Sequence, residues 1–130
     1  MPRVLIVEDY PDTREILRII LESQGYVCEE AEDGVQALSK VEGVPYDLVL
    51  LDYEMPRMNG FQFMEKAFSL KCPFTTPVIM MTGHSTERVR IQALNSGAVD
   101  VLAKPYDLDT LLTVIPQALV RQKVSQSCVA

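Results

Sequence analysis

The sequence predicts an α/β domain built on a doubly wound parallel sheet, and two observations carry that expectation. Short aliphatic or β-branched runs alternate five times with longer amphipathic segments, the pattern of repeated βαβ units. The runs Val4–Val7, Leu48–Leu51 and Val78–Met81 are apolar throughout, as suits strands covered by helices on both faces. At 130 residues the chain is long enough for one domain with a self-sufficient core.

The strands are expected at Arg3–Val7, Tyr26–Ala31, Leu48–Leu51, Val78–Met81 and Asp100–Leu102, each ending in polar or Gly/Pro punctuation. Asp12 or its neighbours open the first helix, where Ile16, Leu17, Ile20 and Leu21 recur at helical spacing before Gly25 stops it. Asp33-Gly34 opens the second, which runs to about Val41. Asn59-Gly60 precedes the third, with Phe61, Met64, Ala67 and Phe68 as its apolar stripe and Pro73 barring continuation. Ser85-Thr86-Glu87 begins the fourth, with Ile91 and Leu94 expected inward and Asn95-Ser96-Gly97 closing it. Asp107 caps the fifth, whose Leu108, Leu111, Leu112 and Ile115 share one side. The domain is expected over residues 1–122, with 123–130 a polar, flexible tail or linker stub.

Composition narrows the possible roles. Hydrophobic residues make up 48% and charged residues 23%, the balance of a packed globular chain and not of a disordered one. The formal charge of −6 and the lack of any Lys/Arg run argue against direct nucleic-acid binding. Cys28, Cys72 and Cys128 are odd in number and far apart, which suits reduced, mostly buried thiols better than a disulfide framework or a zinc site. No apolar run is long enough for a signal peptide or a membrane span, so a cytoplasmic location is expected.

In an open α/β sheet, ligands bind outside the carboxyl ends of the strands, where the strand order reverses. Here the first strand ends in Glu8-Asp9, the third in Asp52, the fourth in Thr82 and the fifth in Lys104-Pro105. Right-handed crossovers would bring all four ends to one edge. Singly, each residue has an ordinary alternative as a helix cap, a turn residue or a solvated lysine. Three converging carboxylates cannot all stay ionised without compensation, so a cation is expected among them. Oxygen ligands with no His or Cys beside them favour Mg²⁺. With Lys104 as a second positive charge, the set describes a clamp for a phosphoryl group in transfer, and Asp52 is the carboxylate nucleophile that would form an acyl phosphate.

The motifs VLIVED (Val4–Asp9), LVLLDYEMPRMNG (Leu48–Gly60), VIMMTG (Val78–Gly83) and AKP (Ala103–Pro105), in this order and spacing, make the chain resemble response-regulator receiver domains over about Arg3–Gln122. The resemblance implies a flavodoxin-like (βα)5 three-layer sandwich with sheet order 2-1-3-4-5. It further implies that Asp9 and Asp52 bind Mg²⁺ directly, with the Glu54 backbone carbonyl as a further ligand and Glu8 acting through water. Thr82 and Lys104 would contact phosphoryl oxygens, and the Lys104–Pro105 peptide would be cis. The expected role is a phosphorylation-driven switch, not a turnover enzyme. A histidine kinase or histidine phosphotransfer protein would donate the phosphoryl group to Asp52, and the surface of helix four, strand five and helix five would then meet an output partner. A monomer or a phosphorylation-promoted dimer is expected. Two rivals stand beside it: a phosphatase working through an aspartyl phosphate, with Asp52 and Glu54 as its pair, and a flavin-binding or non-phosphorylated scaffold on the same fold.

Three departures refine the expectation. Glu54 and His84 are expected to flank the path of the water that hydrolyses the acyl phosphate, and so to tune its lifetime. Pro116 falls inside the fifth helix, where a kink or break, a displaced C-terminal half and an atypical partner surface are expected. Val101 stands three residues before Lys104, where such domains usually carry an aromatic ring. Its stiff, small side chain cannot sweep between two positions, so coupling is expected to run through Thr82–Leu94 more than through Val101.

Overall fold

All five strands form where the aliphatic runs predict them, in a computed structural model that describes residues 1–70, 75–83 and 86–121. The chain runs β1 (Arg3–Val7), α1 (Pro11–Ser23), β2 (Val27–Ala31), α2 (Gly34–Gly43), β3 (Leu48–Asp52), α3 (Gly60–Phe68), β4 (Val78–Thr82), α4 (Glu87–Asn95), β5 (Asp100–Ala103) and α5 (Leu108–Arg121). The sheet is wholly parallel, in the order β2-β1-β3-β4-β5. β3 and β4 each run one residue past the expected end, so Asp52 and Thr82 are the last residues of their strands.

The period of two along each strand divides the core between two layers. Leu5, Val7, Val49, Leu51, Val78 and Met80 pack with Ala37 of α2, Phe63 and Met64 of α3 and Ala93 of α4. Val4, Ile6, Leu48, Leu50, Ile79 and Met81 pack with Leu17 and Leu21 of α1 and Leu111, Ile115 and Ala118 of α5. Continuing the alternation by two residues carries Glu8 (after Val4, Ile6) and Asp52 (after Leu48, Leu50) to the same side of the sheet. No helix among the described residues is long and apolar enough to cross a membrane.

The starts of α2 to α5 follow the expected caps, while α1 begins at Pro11 after Tyr10 with no side-chain cap and Asp12 in its first turn. Asp33 accepts from Gln36 N at 2.8 Å and Asp107 from Thr110 N at 2.7 Å. Asn59 and Gln62 form a reciprocal capping box, and Thr86 accepts from Val89 N. Pro11 occupies the first turn of α1, where its missing N–H costs nothing.

The helix faces correct several expectations. Ile91 and Leu94 are 49% and 40% exposed, while Ala93 is the buried residue of α4. Positions two apart on a helix lie about 200° around the axis, so seating Ala93 on the sheet turns Ile91 outward. Ile16 and Leu108 are likewise exposed. On α3 the fully buried ring is Phe63, while Phe68 is 49% exposed. α5 stays α-helical across Pro116, with Leu111 and Ile115 before it and Ala118 after it all buried. The expected break does not occur: Leu111 and Ile115 before an exposed Pro116 and Ala118 after it all pack into the core and hold the helix to the sheet. Cys28 is a buried free thiol, pushed up to about 11 by burial. Cys72, Pro73, Ser85, Cys128 and the expected tail lie outside the described residues.

Gly97 closes α4 at φ +109°, and a Cβ there would stand 2.5 Å from Cε2 of Phe68. Gly97→Ala should therefore destabilise the domain by about 2–3 kcal/mol, through backbone strain plus displacement of the ring. Urea midpoints of the two proteins check this, and a difference below about 0.5 kcal/mol would contradict it.

Candidate functional site

The strand order reverses between β1 and β3, and the carboxyl ends of these two strands bring together Glu8, Asp9 and Asp52. One carboxylate oxygen from each lies within 4.8 Å of the others. Glu8 and Asp52 are buried, and Asp9 stands nearer the surface. Lys104 reaches in from the loop after β5, with Nζ 2.9 Å from Asp52 Oδ1 and 3.3 Å from Glu8 Oε1. The Lys104–Pro105 peptide is cis, as the resemblance implied. Lys104 N donates to Thr82 O at 2.7 Å, which ties the base of that loop to the end of β4.

The electrostatics of this group are those of a site short of positive charge. Burial, a hydrogen bond with Asp52 and the charge of Asp52 push Glu8 up to about 7, against the pull of Lys104. Burial also raises Asp52, although hydrogen bonds from Glu8, Lys104 and the Glu54 backbone N–H offset part of the shift. Burial works against the Lys104 ammonium, but Asp52 and Glu8 outweigh it and leave Lys104 above its ordinary value. Two buried carboxyls beside a third acid and one lysine hold a proton that a stronger cation would displace. The donors are all hard oxygens, and the cluster fits a metal ion that prefers them.

Thr82 is fully buried at the end of β4, and its hydroxyl donates to Glu54 Oε2 at 2.7 Å. Gly83 N donates to the other oxygen of the same carboxylate at 3.1 Å. The Glu54 side chain thus reaches across to the β4 end, an arrangement that its expected place beside an open water path did not anticipate. His84 lies outside the described residues. Val101 is buried beside Met80, Ala93 and Ala98. Arg90 of α4 covers it at the sheet edge, with Nη1 3.5 Å from Val101 O and Nη2 3.8 Å from Asp100.

Arg14 is a positioning residue that sequence reasoning missed. Its Nη1 donates to the Glu8 carbonyl at 2.7 Å and its Nε to Glu30 at 2.8 Å. Glu30, held below the usual carboxylate range by Arg18 and then Arg14, anchors that clamp on the turn carrying Glu8 and Asp9. An Arg following an acidic pair is the faint signal available; its acceptor is a backbone carbonyl, which no side-chain pattern reveals. An open cleft of about 410 Å³ beside the acids is lined by Thr13, Lys104, Pro105 and Tyr106.

Fold and site together define an α/β domain with an acidic, lysine-bridged centre at the switch point of its sheet. Residues 4–116 match the family model described as response regulator receiver domain, and the chain belongs to that family. It is 36% identical to the transcriptional regulatory protein ZraR of Klebsiella oxytoca over 95% of this chain and 28% of that one. It is 33% identical to the DNA-binding dual master transcriptional regulator RpaA of Synechocystis over 94% of this chain and 50% of that one. The chain thus spans half or less of the length of these two curated relatives. Among solved structures, the response regulator TrrA of Thermotoga maritima, in complex with Mg²⁺-BeF, superposes with a TM-score of 0.78 at 30% identity, covering 91% of this chain and 99% of that one. The chain is a receiver domain of the two-component response-regulator kind, a class of signalling switches.

Proposed function

We propose that Asp52 is the phosphoacceptor of this switch. An Asp52 carboxylate oxygen attacks the phosphorus of a phosphohistidine on a histidine kinase or histidine phosphotransfer protein; the P–N bond breaks and an acyl phosphate forms. The carrying observation is Asp52 itself, buried at the end of β3 with Lys104 Nζ 2.9 Å from its Oδ1. Asp9, Asp52 and the Glu54 backbone carbonyl would hold Mg²⁺, with Glu8 reaching it through water. When bound, the ion neutralises charge on the transferring group. Lys104 meets the phosphoryl oxygens with a fixed positive charge, and the Thr82 hydroxyl donates to them once the group is in place. Glu54 and His84 set the lifetime of the acyl phosphate. No turnover of other substrates is part of this reading, and residues 1–122 form the acting domain.

The output leaves through α4, β5 and α5. Ile91 and Leu94 are exposed on α4, and Val101 offers no ring to relay movement to β5. Movement of Thr82 therefore acts chiefly on Thr82–Leu94 and shifts a cytoplasmic partner at α4. Two outcomes test the core of the reading. Incubation with Mg²⁺ and acetyl phosphate should yield a phosphoryl adduct by intact mass, mapped to Asp52 and prevented by chelator. An adduct elsewhere, or one indifferent to chelator, would overturn it.

A further inference from the structure

The Glu54 carboxylate is committed to an unexpected place. Its two oxygens take the Thr82 hydroxyl at 2.7 Å and the Gly83 N–H at 3.1 Å, bridging the loop after β3 to the first residue beyond β4. Its own backbone N–H donates to Asp52 Oδ1 at 3.2 Å, so one residue touches both the acceptor carboxylate and the hydroxyl expected to meet the phosphoryl group.

A hydroxyl carries a single proton. The proton of Thr82 goes to Glu54 or to a phosphoryl oxygen on Asp52, and each contact excludes the other. A phosphoryl group brings about −1.5 to −2 charges to Asp52, two residues from Glu54, so the same event that offers Thr82 a new acceptor repels the old one. We infer that Glu54 is a positioning residue for Thr82: a latch that holds the hydroxyl and the Gly83 N–H in the unphosphorylated domain and must let go before Thr82 can engage the phosphoryl group. The inference rests on the assignment of Asp52 and Thr82 made above and goes beyond it in naming what Thr82 leaves.

Two consequences follow. The latch opposes phosphorylation, because the contact to Glu54 is lost when the contact to phosphate is made. It also supplies a lever that needs no aromatic ring. Release frees the Gly83 N–H from Glu54 at the point where the chain turns toward α4, which gives movement a route to that helix although Val101 stands at the ring's usual position.

Calorimetric titration with Mg²⁺ and beryllofluoride, a stable phosphoryl mimic, separates the latch from simple charge repulsion. The proteins are the wild type, Glu54→Ala, Glu54→Gln, Thr82→Ala and the Glu54→Ala/Thr82→Ala double variant. Glu54→Ala should bind the mimic about tenfold more tightly, the worth of one hydrogen bond to a charged group. Within the Thr82→Ala background the same substitution should gain at least about threefold less, since no hydroxyl is left to release and only the relief of charge repulsion remains. Glu54→Gln should fall between, because its amide oxygen can still accept from the Gly83 N–H or from the Thr82 hydroxyl, while its NH2 can only donate to that hydroxyl and so leaves the Thr82 proton free. An equal gain with and without Thr82, or no gain from Glu54→Ala, would overturn the latch. If the wild type failed to bind the mimic at all, the phosphoacceptor assignment itself would fall and the latch with it.

Discussion

Asp52→Asn should abolish the phosphoryl adduct completely and, in the absence of metal, make the domain more stable. The loss follows from chemistry, since an amide oxygen cannot serve as the nucleophile that a carboxylate can. The gain follows from the surroundings: the substitution removes one of two buried like charges that, among the described residues, Lys104 offsets at short range. At pH 8 with chelator present the variant should be more stable by about 1–2 kcal/mol. Guanidinium midpoints measure this, and a variant less stable than the wild type would show that the Lys104–Asp52 contact outweighs the repulsion.

The pH dependence sharpens the same comparison. Glu8 rises to about 7 in the folded domain, above its ordinary value of 4.5. The folded state therefore keeps a proton that the unfolded chain has released, and the stability this confers is fully present below about pH 4.5 and is lost as pH rises through 7. The slope reaches at most about 1.4 kcal/mol per pH unit for one proton. Glu30, lowered by Arg18 and Arg14, acts in the opposite sense, its contribution falling away only as pH drops below the ordinary carboxylate range. Between pH 5 and 8 the Glu8 effect stands clear of it. Asp52→Asn removes the charge of Asp52 and weakens its hydrogen bond as causes of the Glu8 shift, leaving burial and a hydrogen bond with Asp9 against the pull of Lys104, so the slope should flatten. A variant with the wild-type slope would show that Asp52 contributes nothing to raising Glu8. Millimolar Mg²⁺ should flatten the wild-type slope as well, by replacing the proton.

The parts of this molecule that sequence reasoning reached are those set by local period and punctuation. LVLLD reads as a fully buried strand ending in an acid because four aliphatic residues in a row leave no solvent face, and β3 is buried from Leu48 to Asp52. Asp33, Asn59 and Asp107 read as caps because capping bonds span three residues. The inward face of α4 was misread because its buried residue, Ala93, is small and its larger apolar residues lie opposite; size misleads where a helix approaches closely. The Pro116 expectation weighed one lost hydrogen bond and left out the tertiary packing of Ile115 and Ala118 that holds the helix in place. At the site, Glu8, Asp9, Asp52, Thr82 and Lys104 were legible because strand ends converge by topology. The Glu54–Thr82 bond spans 28 positions and joins two loops, and the Arg14 contact ends on a main-chain oxygen. Neither leaves a periodic trace.

Lys104→Met should move two properties of the site in opposite directions. Methionine keeps the length and apolar stem of the side chain but removes the ammonium that lies 2.9 Å from Asp52 and 3.3 Å from Glu8. For phosphoryl transfer, a fixed positive charge aimed at the group in flight is lost, and the rate from acetyl phosphate should fall about 100-fold or more. For cation binding, the carboxylates lose the ammonium that competes for them, and at pH 8, where protons compete least, Mg²⁺ should bind the unphosphorylated variant several-fold more tightly. Metal-free stability at pH 8 should drop by about 2 kcal/mol, less than for a fully buried pair because the Lys104 side chain remains 27% exposed. Calorimetry with Mg²⁺ and adduct formation by intact mass give the two readings independently. A merely misfolded variant would lose both. If Lys104→Met bound Mg²⁺ more weakly while phosphorylating slowly, Lys104 would be organising the carboxylates for the metal instead of competing with it, and the division of labour drawn here between ion and lysine would be wrong.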